Sequence, residues 1–401
     1  MITNAKDLRT GRSVWERHRA PPVSHTPLKR DIETDVLVIG AGITGAMVAD
    51  GLRDSGLRVA VVDRRGPAKG SSTASTALVQ YEIDTPLIKL ARKIGRQDAV
   101  RAWRRSRLAV DAIGARLREL GITDVMARDS LYLAGNLLDR DALMREHDAR
   151  RAAGLPSRFL NRRELYARFG IARSAALLGY GNLAIDPRKT TLALLNVAAK
   201  RKARIFSPVE IVDIAAKQTG VTATAANGRR IHCRHVVFAT GYELPKCVPA
   251  QGHQIESTWA IATVPQKRRL WPEQCLIWES ADPYLYLRTT SDGRIICGGE
   301  DEEFSDEAAR DALLPRKTAT LRRKLSRLFP NVDTTVEFAW TGSFGRTTTG
   351  LPIIGKIPRM PCCWAALGYG GNGTTYSRIA ADIICGALSG HVDADTDLFD
   401  F

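Results

Sequence analysis

The sequence predicts an α/β protein, in which a Rossmann-like domain is built from discontinuous segments and an α+β domain with an antiparallel sheet is inserted between them. Three observations predict it. Residues 35–63 read strand, Gly-rich turn, amphipathic helix, strand (DVLVIG, AGITG, AMVADGLRDSG, LRVAVVD), one complete βαβ unit. The α/β pattern returns only much later, over 184–245. Residues 254–300 alternate apolar and polar positions around turns, as antiparallel strands do.

Taken in order, residues 1–29 form a polar, basic arm in which Pro21, Pro22 and Pro27 prevent a long helix. After the βαβ unit, 86–93 and 97–120 read as helices, the second stopped by Gly121. Strand-like residues 131–134 and helical pieces at 140–153 and 162–169 follow. A helix is expected over 184–203, then strands at 204–214, 221–228 and 234–241. WAIATV, CLIWES, YLYLRT and RIICGG are the alternating strands, and helices are expected at 306–329 and near 376–389. The division is an N-terminal arm, a cofactor domain from 30–85, 180–245 and 335–395, and a substrate domain from 86–179 and 246–334.

With 401 residues, 44% hydrophobic and 25% charged, the chain can bury a sizeable core. The net charge of +16 includes basic runs at 101–107 and 267–269, but the remaining basic residues are scattered and no nucleic-acid-binding motif accompanies them, so no nucleic-acid partner is expected. Seven cysteines without a CxxC pair argue against a disulfide framework and for a reducing compartment, and the protein is expected to be cytoplasmic. His232, Cys233 and His235 are close in sequence, yet on a strand their side chains alternate faces and do not converge, so no metal is expected. No stretch of about 18 apolar residues is present, so no membrane span is expected.

The chemistry begins at Gly40, Gly42 and Gly45, a GxGxxG between strand and helix. The first glycine allows the tight turn, the second lets backbone approach a pyrophosphate, and the third lets the helix pack closely. The diphosphate then meets the helix N-terminus. Asp63 ends the next strand eighteen residues after Gly45, where a carboxylate accepts ribose hydroxyls. NAD and FAD share this fingerprint, and two later segments favour FAD. KGSSTASTALVQ at 69–80 offers small, hydroxyl-bearing residues to a large ring system. The Gly-rich stretches WTGSFGRTTTGLPIIG and LGYGGNGTT precede the last helix, where Gly371, Asn372 and Gly373 present backbone N–H groups to an anionic edge.

Together, DVLVIGAGITG with Asp63, GSSTAST followed by LVQYEIDTPL, the ATG triplet at 239–241, TGLPIIG and GYGGNG resemble the D-amino-acid oxidase-type FAD-dependent oxidoreductase family, nearest the branch around gamma-glutamylputrescine oxidoreductase. The resemblance spans about 13–390 and implies oxidation of a C–N bond in a small amine or amino acid, with oxygen or another acceptor taking the electrons. It also implies that Gly40, Gly42, Gly45, Asp63 and Arg64 hold the ADP half and that Ser71, Ser72, Ser75 and Thr76 line the pyrophosphate and flavin. Val209, Thr240 and Gly241 would close the adenine side. Gly342, Pro352, Ile354, Gly355, Gly371, Asn372, Gly373 and Thr374 would surround the flavin ring.

Sarcosine-oxidase-like relatives hold the substrate carboxylate with basic residues where this chain has Ala77, Gln80 and Thr375, and glycine-oxidase-like relatives place an Arg near Phe344. An α-amino acid substrate is therefore in doubt. Pocket candidates are Tyr81, Glu82, Tyr286, Arg346 and Tyr369, with no general base named. No cysteine matches a flavin-tethering position; Cys362 and Cys363 read as a core strand, so non-covalent FAD is expected. Two other readings remain: oxidation of a hydroxyl substrate, as in glycerol-3-phosphate dehydrogenase relatives, and a non-catalytic flavin-binding subunit of a larger dehydrogenase.

Overall fold

The computed structural model describes residues 2–3, 5–17, 19–249, 252–266 and 268–401, so Lys267 of the second basic run lies outside the described residues. The βαβ unit forms as its pattern demands: β1 (Ile32–Ile39), α1 (Ile43–Gly51) and β2 (Val59–Val62). Val36, Leu37 and Val38 are fully buried, as befits a strand covered on both faces. Strand β1 pairs in parallel with β2 on one side and with Arg230–Phe238 on the other. The sheet extends through Arg204–Phe206 beyond β2, and through Cys363–Leu367 and then Ile353–Lys356 beyond Arg230–Phe238. Its carboxyl ends bring Gly40, Asp63, Ala239 and Gly368 to one edge, where doubly wound sheets bind their ligands. Helix α1 packs on that sheet with Pro187–Lys200 and Gly373–Leu388 beside it.

The second sheet has nine strands in the order Val336–Thr347, His253–Thr263, Ile295–Glu302, Leu285–Thr289, Leu276–Glu279, Val125–Leu133, Ala175–Ile185 and Leu78–Val79, with Ser157–Asn161 paired to Ala175–Ile185. It is antiparallel except where Leu276–Glu279 runs parallel to Val125–Leu133. Strand Val336–Thr347, in a stretch expected to belong to the cofactor domain, is hydrogen-bonded into this sheet. That places Gly342 and Phe344 opposite Thr258 and Glu256.

Several elements differ from the sequence reading. The helix expected from 184 starts later, at Pro187, because Ala184 and Ile185 end a strand; Asp186 caps the helix by accepting from Lys189 N at 2.9 Å, and Pro187 occupies its first position. The helix expected over 306–329 is two, Glu307–Ala312 and Leu314–Leu328, with Pro315, which has no N–H to give, opening the second. The N-terminal arm is no loose extension: Val14 and Trp15 are buried, and Trp15 Nε1 donates to Ser75 O at 2.7 Å. The basic run at 101–107 pairs within the molecule, Arg101 with Asp98, Asp395 and Asp397, and Arg105 with Asp382 and Asp393. These contacts hold the C-terminal tail against helix Arg96–Glu119. No helix among the described residues is long and apolar enough to cross a membrane.

A candidate dinucleotide cleft with an aromatic end

Between the carboxyl edge of the parallel sheet and the face of the second sheet lies a cleft with about 1810 Å³ of empty space, its open mouth included. The cleft runs from Gly40 and Asp63 at one end to Tyr284 and Tyr369 at the other.

The floor is the glycine turn. Gly40 has φ +115°, and a Cβ there would lie 2.3 Å from Ala239 O. A Cβ on Gly45 would lie 1.9 Å from Gly40 O, so only glycine lets α1 start this close to β1. Gly42 faces Ser72, whose Oγ accepts from Ile43 N at 2.9 Å and ties the Ser/Thr loop to the start of α1. Asp63 accepts from Ala41 N at 2.8 Å and from Arg65 and Gly66 N at 2.7 Å each, which fixes its carboxylate at the cleft edge.

At this end Arg64 and Arg65 both pair with the buried Glu243, and Arg64 also reaches Glu210 at 3.8 Å. Burial opposes the charge on Arg65, but Glu243 outweighs it and holds the guanidinium above its usual range. Val209 lies here too, its N bonded to Asp63 O at 2.9 Å, beside Thr240 and Gly241. Ser71, Ser72, Ser75 and Thr76 run along the middle of the wall.

At the opposite end Gly342, Gly371, Asn372, Gly373 and Thr374 all line the cleft. Asn372 is nearly buried; its side chain donates to Glu82 O at 2.9 Å and accepts from Asp84 N at 3.2 Å, locking the loop before the last helix onto residues 82–84. Tyr242, Trp278, Tyr284, Tyr286, Phe344 and Tyr369 supply the walls. Arg64 and Arg65 are the cleft's cationic lining residues among those described, and both sit at the far, Asp63 end. The charge lining the aromatic end is Asp84, which accepts from Gly371 N at 2.7 Å. Although open to the cleft, Asp84 is otherwise enclosed by protein, and that burial pushes its carboxyl up.

The pocket candidates divide. Tyr286 and Tyr369 line the aromatic end. Tyr81 and Glu82 lie behind the wall: Tyr81 is fully buried edge-on to Trp103, and Glu82 bonds to Ser130 and Asn182, with burial pushing its carboxyl up. Arg346 is on the rim, its side chain 60% exposed and paired with Glu256 at 3.0 Å. Pro352, Ile354 and Gly355 are not in the cleft wall; Ile354 and Gly355 pair with Ala366 and Ala365, and Gly355 packs on Asp400.

Sequence reasoning passed over Thr258, Trp278, Tyr284, Asp84 and the arm residues Thr3 and Leu8, all of which line the cleft. Tyr284 was within reach, since it immediately precedes the strand Leu285–Thr289 and lies two residues from Tyr286.

The cleft's features are those of a dinucleotide fold, and a family model described as FAD dependent oxidoreductase (DAO) matches residues 35–387. The chain belongs to the DAO family of FAD-dependent oxidoreductases. It is 22% identical to a glycine oxidase of Geobacillus kaustophilus over 87% of this chain and 91% of that one. It is 24% identical to the tRNA 5-methylaminomethyl-2-thiouridine biosynthesis bifunctional protein MnmC of Cupriavidus necator, covering 97% of this chain but only 62% of that protein's length. It is 25% identical to an opine oxidase subunit of Agrobacterium tumefaciens over 82% of this chain and 86% of that one. In fold it matches the crystal structure of the G. kaustophilus glycine oxidase with a TM-score of 0.73 at 21% identity, over 90% of this chain and 96% of that one. L-proline dehydrogenase from P. horikoshii matches with a TM-score of 0.75 at 17% identity, over 92% and 97%.

The residues present fit FAD. The cradle formed by Gly40, Gly42 and Gly45 is one that any Cβ would fill or strain, Asp63 is fixed at its edge, and the Ser/Thr loop and the Gly371–Thr374 loop continue the wall beyond it.

Proposed function

We propose that this member of the family oxidises a C–N bond in a small amine or amino acid, giving an imine that water hydrolyses. Bound FAD would supply the hydride acceptor, N5 of its ring. The chain's own part is to hold the cofactor on the glycine turn and the Ser/Thr loop, to place the substrate against the ring, and to keep water away.

The observation that carries this reading is the aromatic end of the cleft. Six aromatic side chains crowd it, and it has no lining Lys or Arg among the described residues. Ring surface away from Asp84 disfavours an ammonium at the reacting nitrogen and so favours the neutral amine, the form that can release hydride. The aromatic side chains also supply π-faces and hydroxyls to orient it. An organophosphate such as glycerol phosphate would find no cation there, which weighs against a phosphorylated hydroxyl substrate. The similarity to an opine oxidase subunit keeps one other reading in play, a chain that needs a partner subunit to turn over.

The test is anaerobic mixing of the FAD-loaded protein with primary amines, N-methyl amino acids, D- and L-amino acids and glycerol phosphate, following the flavin absorbance. Bleaching by an amine or amino acid supports the reading. Bleaching by glycerol phosphate alone overturns it.

A further inference from the structure

The strand Ile295–Glu302 carries one residue too many. Ser257 pairs with Glu302 and Trp259 with Gly299, so Glu300 and Asp301 together face Thr258 across a β-bulge. Glu300 adopts φ +60°, a conformation that side-chain-bearing residues rarely hold without cause. The bulge decides where the carboxylates go. Gly298 lies beneath the Tyr286 ring, 2.4 Å from it if it had a Cβ, so this side of the strand faces the cleft. Strict alternation would place Glu300 on that same side and Asp301 on the other. Instead Glu300 and Glu302 pair with Lys324 and Lys317 of helix Leu314–Leu328, and Asp301 is turned toward Thr258 and Tyr284, both in the cleft wall.

Both Asp301 carboxyl oxygens are buried without a hydrogen bond of normal geometry. Burial pushes this carboxyl up to about 7, against the pull of the Thr258 and Tyr284 hydroxyls, while Glu256 and Asp84 push it further up. A buried carboxyl with no cationic partner is costly, and here it is one that a backbone distortion aims at the cleft. Asp84, on the opposite loop, is the charged lining residue at this end among those described, and Asp301 stands directly behind the lining hydroxyls of Thr258 and Tyr284. Tyr284 and Tyr286, ring centroids 5.5 Å apart, feel the charges of both aspartates, and Tyr242, edge-on to Tyr369 at 6.4 Å, feels that of Asp84.

Two carboxyls and a set of tyrosine faces form a receptor for a positive charge. That charge is not the reacting nitrogen, because a carboxylate beside it would stabilise the protonated form, which cannot release hydride. Nor is a substrate carboxylate accommodated, since it would meet like charge. We infer that the aromatic end of this cleft binds a second, non-reacting ammonium of the substrate on Asp84 and Asp301 among Tyr242, Tyr284 and Tyr286, which makes the substrate a diamine-type cation rather than an α-amino acid. The inference rests on the reading of the cleft as an amine-oxidising site.

The test is anaerobic equilibrium dialysis of the FAD-loaded protein against radiolabelled putrescine, n-butylamine and glycine. Putrescine binds at least tenfold more tightly than n-butylamine, and glycine binds least. Asp84→Asn and Asp301→Asn, both near-isosteric, each weaken putrescine about tenfold or more while n-butylamine changes by less than about threefold, as expected for loss of a hydrogen bond to a charged group. Retention of FAD by each variant reports that it is folded. Putrescine no tighter than n-butylamine, glycine tighter than putrescine, or both variants binding putrescine like the parent overturns the inference. Its failure is separable from that of the proposed function. Tight diamine binding with no amine reducing the flavin leaves the subsite standing and removes C–N oxidation; amines that reduce the flavin regardless of a second charge or of the two aspartates do the reverse.

Discussion

Replacing Gly45 by alanine puts a Cβ 1.9 Å from the carbonyl oxygen of Gly40. The obstacle is backbone, so no side-chain rotation relieves it. A contact of 1.9 Å must open to at least 3.0 Å, a retreat of about 1.1 Å by the start of α1. An amide of this first turn that meets a pyrophosphate oxygen at about 2.9 Å would then stand near 4 Å, beyond hydrogen-bonding range. Hydrogen bonds to charged groups contribute about 1.5–3 kcal/mol each. Loss of one therefore weakens FAD binding by about 10- to 150-fold, and loss of two by more. The assay is the dissociation constant of FAD for deflavinated protein, read by quenching of flavin fluorescence. Gly56→Ala is the control: that glycine has positive φ, at +75°, but a Cβ there meets nothing within 4 Å. Its cost falls on stability, with FAD affinity unchanged. A Gly45→Ala protein that is folded and binds FAD within about twofold of the parent would refute the steric reasoning.

Three further outcomes follow from the same geometry. Trp15→Ala removes a side chain only 4% exposed together with its bond to Ser75 O; it costs about 3–5 kcal/mol in chemical denaturation, and a loss below about 1 kcal/mol would mean the arm is not part of the core. Asp301, with its carboxyl raised from 3.8 to about 7 in the folded state, holds a proton there that the unfolded chain has lost, so its cost to stability is absent below the ordinary carboxylate range, grows as pH rises toward about 7 and levels off above it. Asp301→Asn should therefore stabilise the protein more at pH 8 than at pH 5, by about 2–4 kcal/mol, and equal effects at the two pH values would contradict the buried-carboxyl account. Arg101→Ala breaks half-exposed pairs to Asp395 and Asp397, lowering stability by about 1 kcal/mol or less and exposing the C-terminal tail to limited proteolysis without changing FAD affinity. An unchanged proteolytic pattern would show that the pairs do not hold the tail.

The parallel unit was legible in the sequence because β1, α1 and β2 are contiguous and each glycine answers a local steric need. The Gly371–Thr374 loop was legible for the same reason, a Gly-rich turn opening a helix. Strand Ala175–Ile185 was not, because Gly179 and Gly181 interrupt its pattern; they admit Glu82 and Arg107, which lie far away in sequence. Nor was the aromatic end of the cleft. The choice of Tyr81 and Glu82 over Asp84 turned on which way a short connecting segment faces, and that is settled by Asn182 and Asn372, from two distant elements. Asp301 depends on a one-residue register shift between two strands, which no periodicity within either strand reveals.

The measurement that bears most directly on the central claim is the visible spectrum of the purified protein before and after anaerobic addition of an amine. A flavoprotein of this family shows bands near about 370 and 450 nm. C–N oxidation predicts that the band near 450 nm bleaches while an aldehyde or keto acid appears in equal amount with the released amine or ammonia. A yellow protein that no amine or amino acid bleaches, alone or with a partner subunit, would contradict the account.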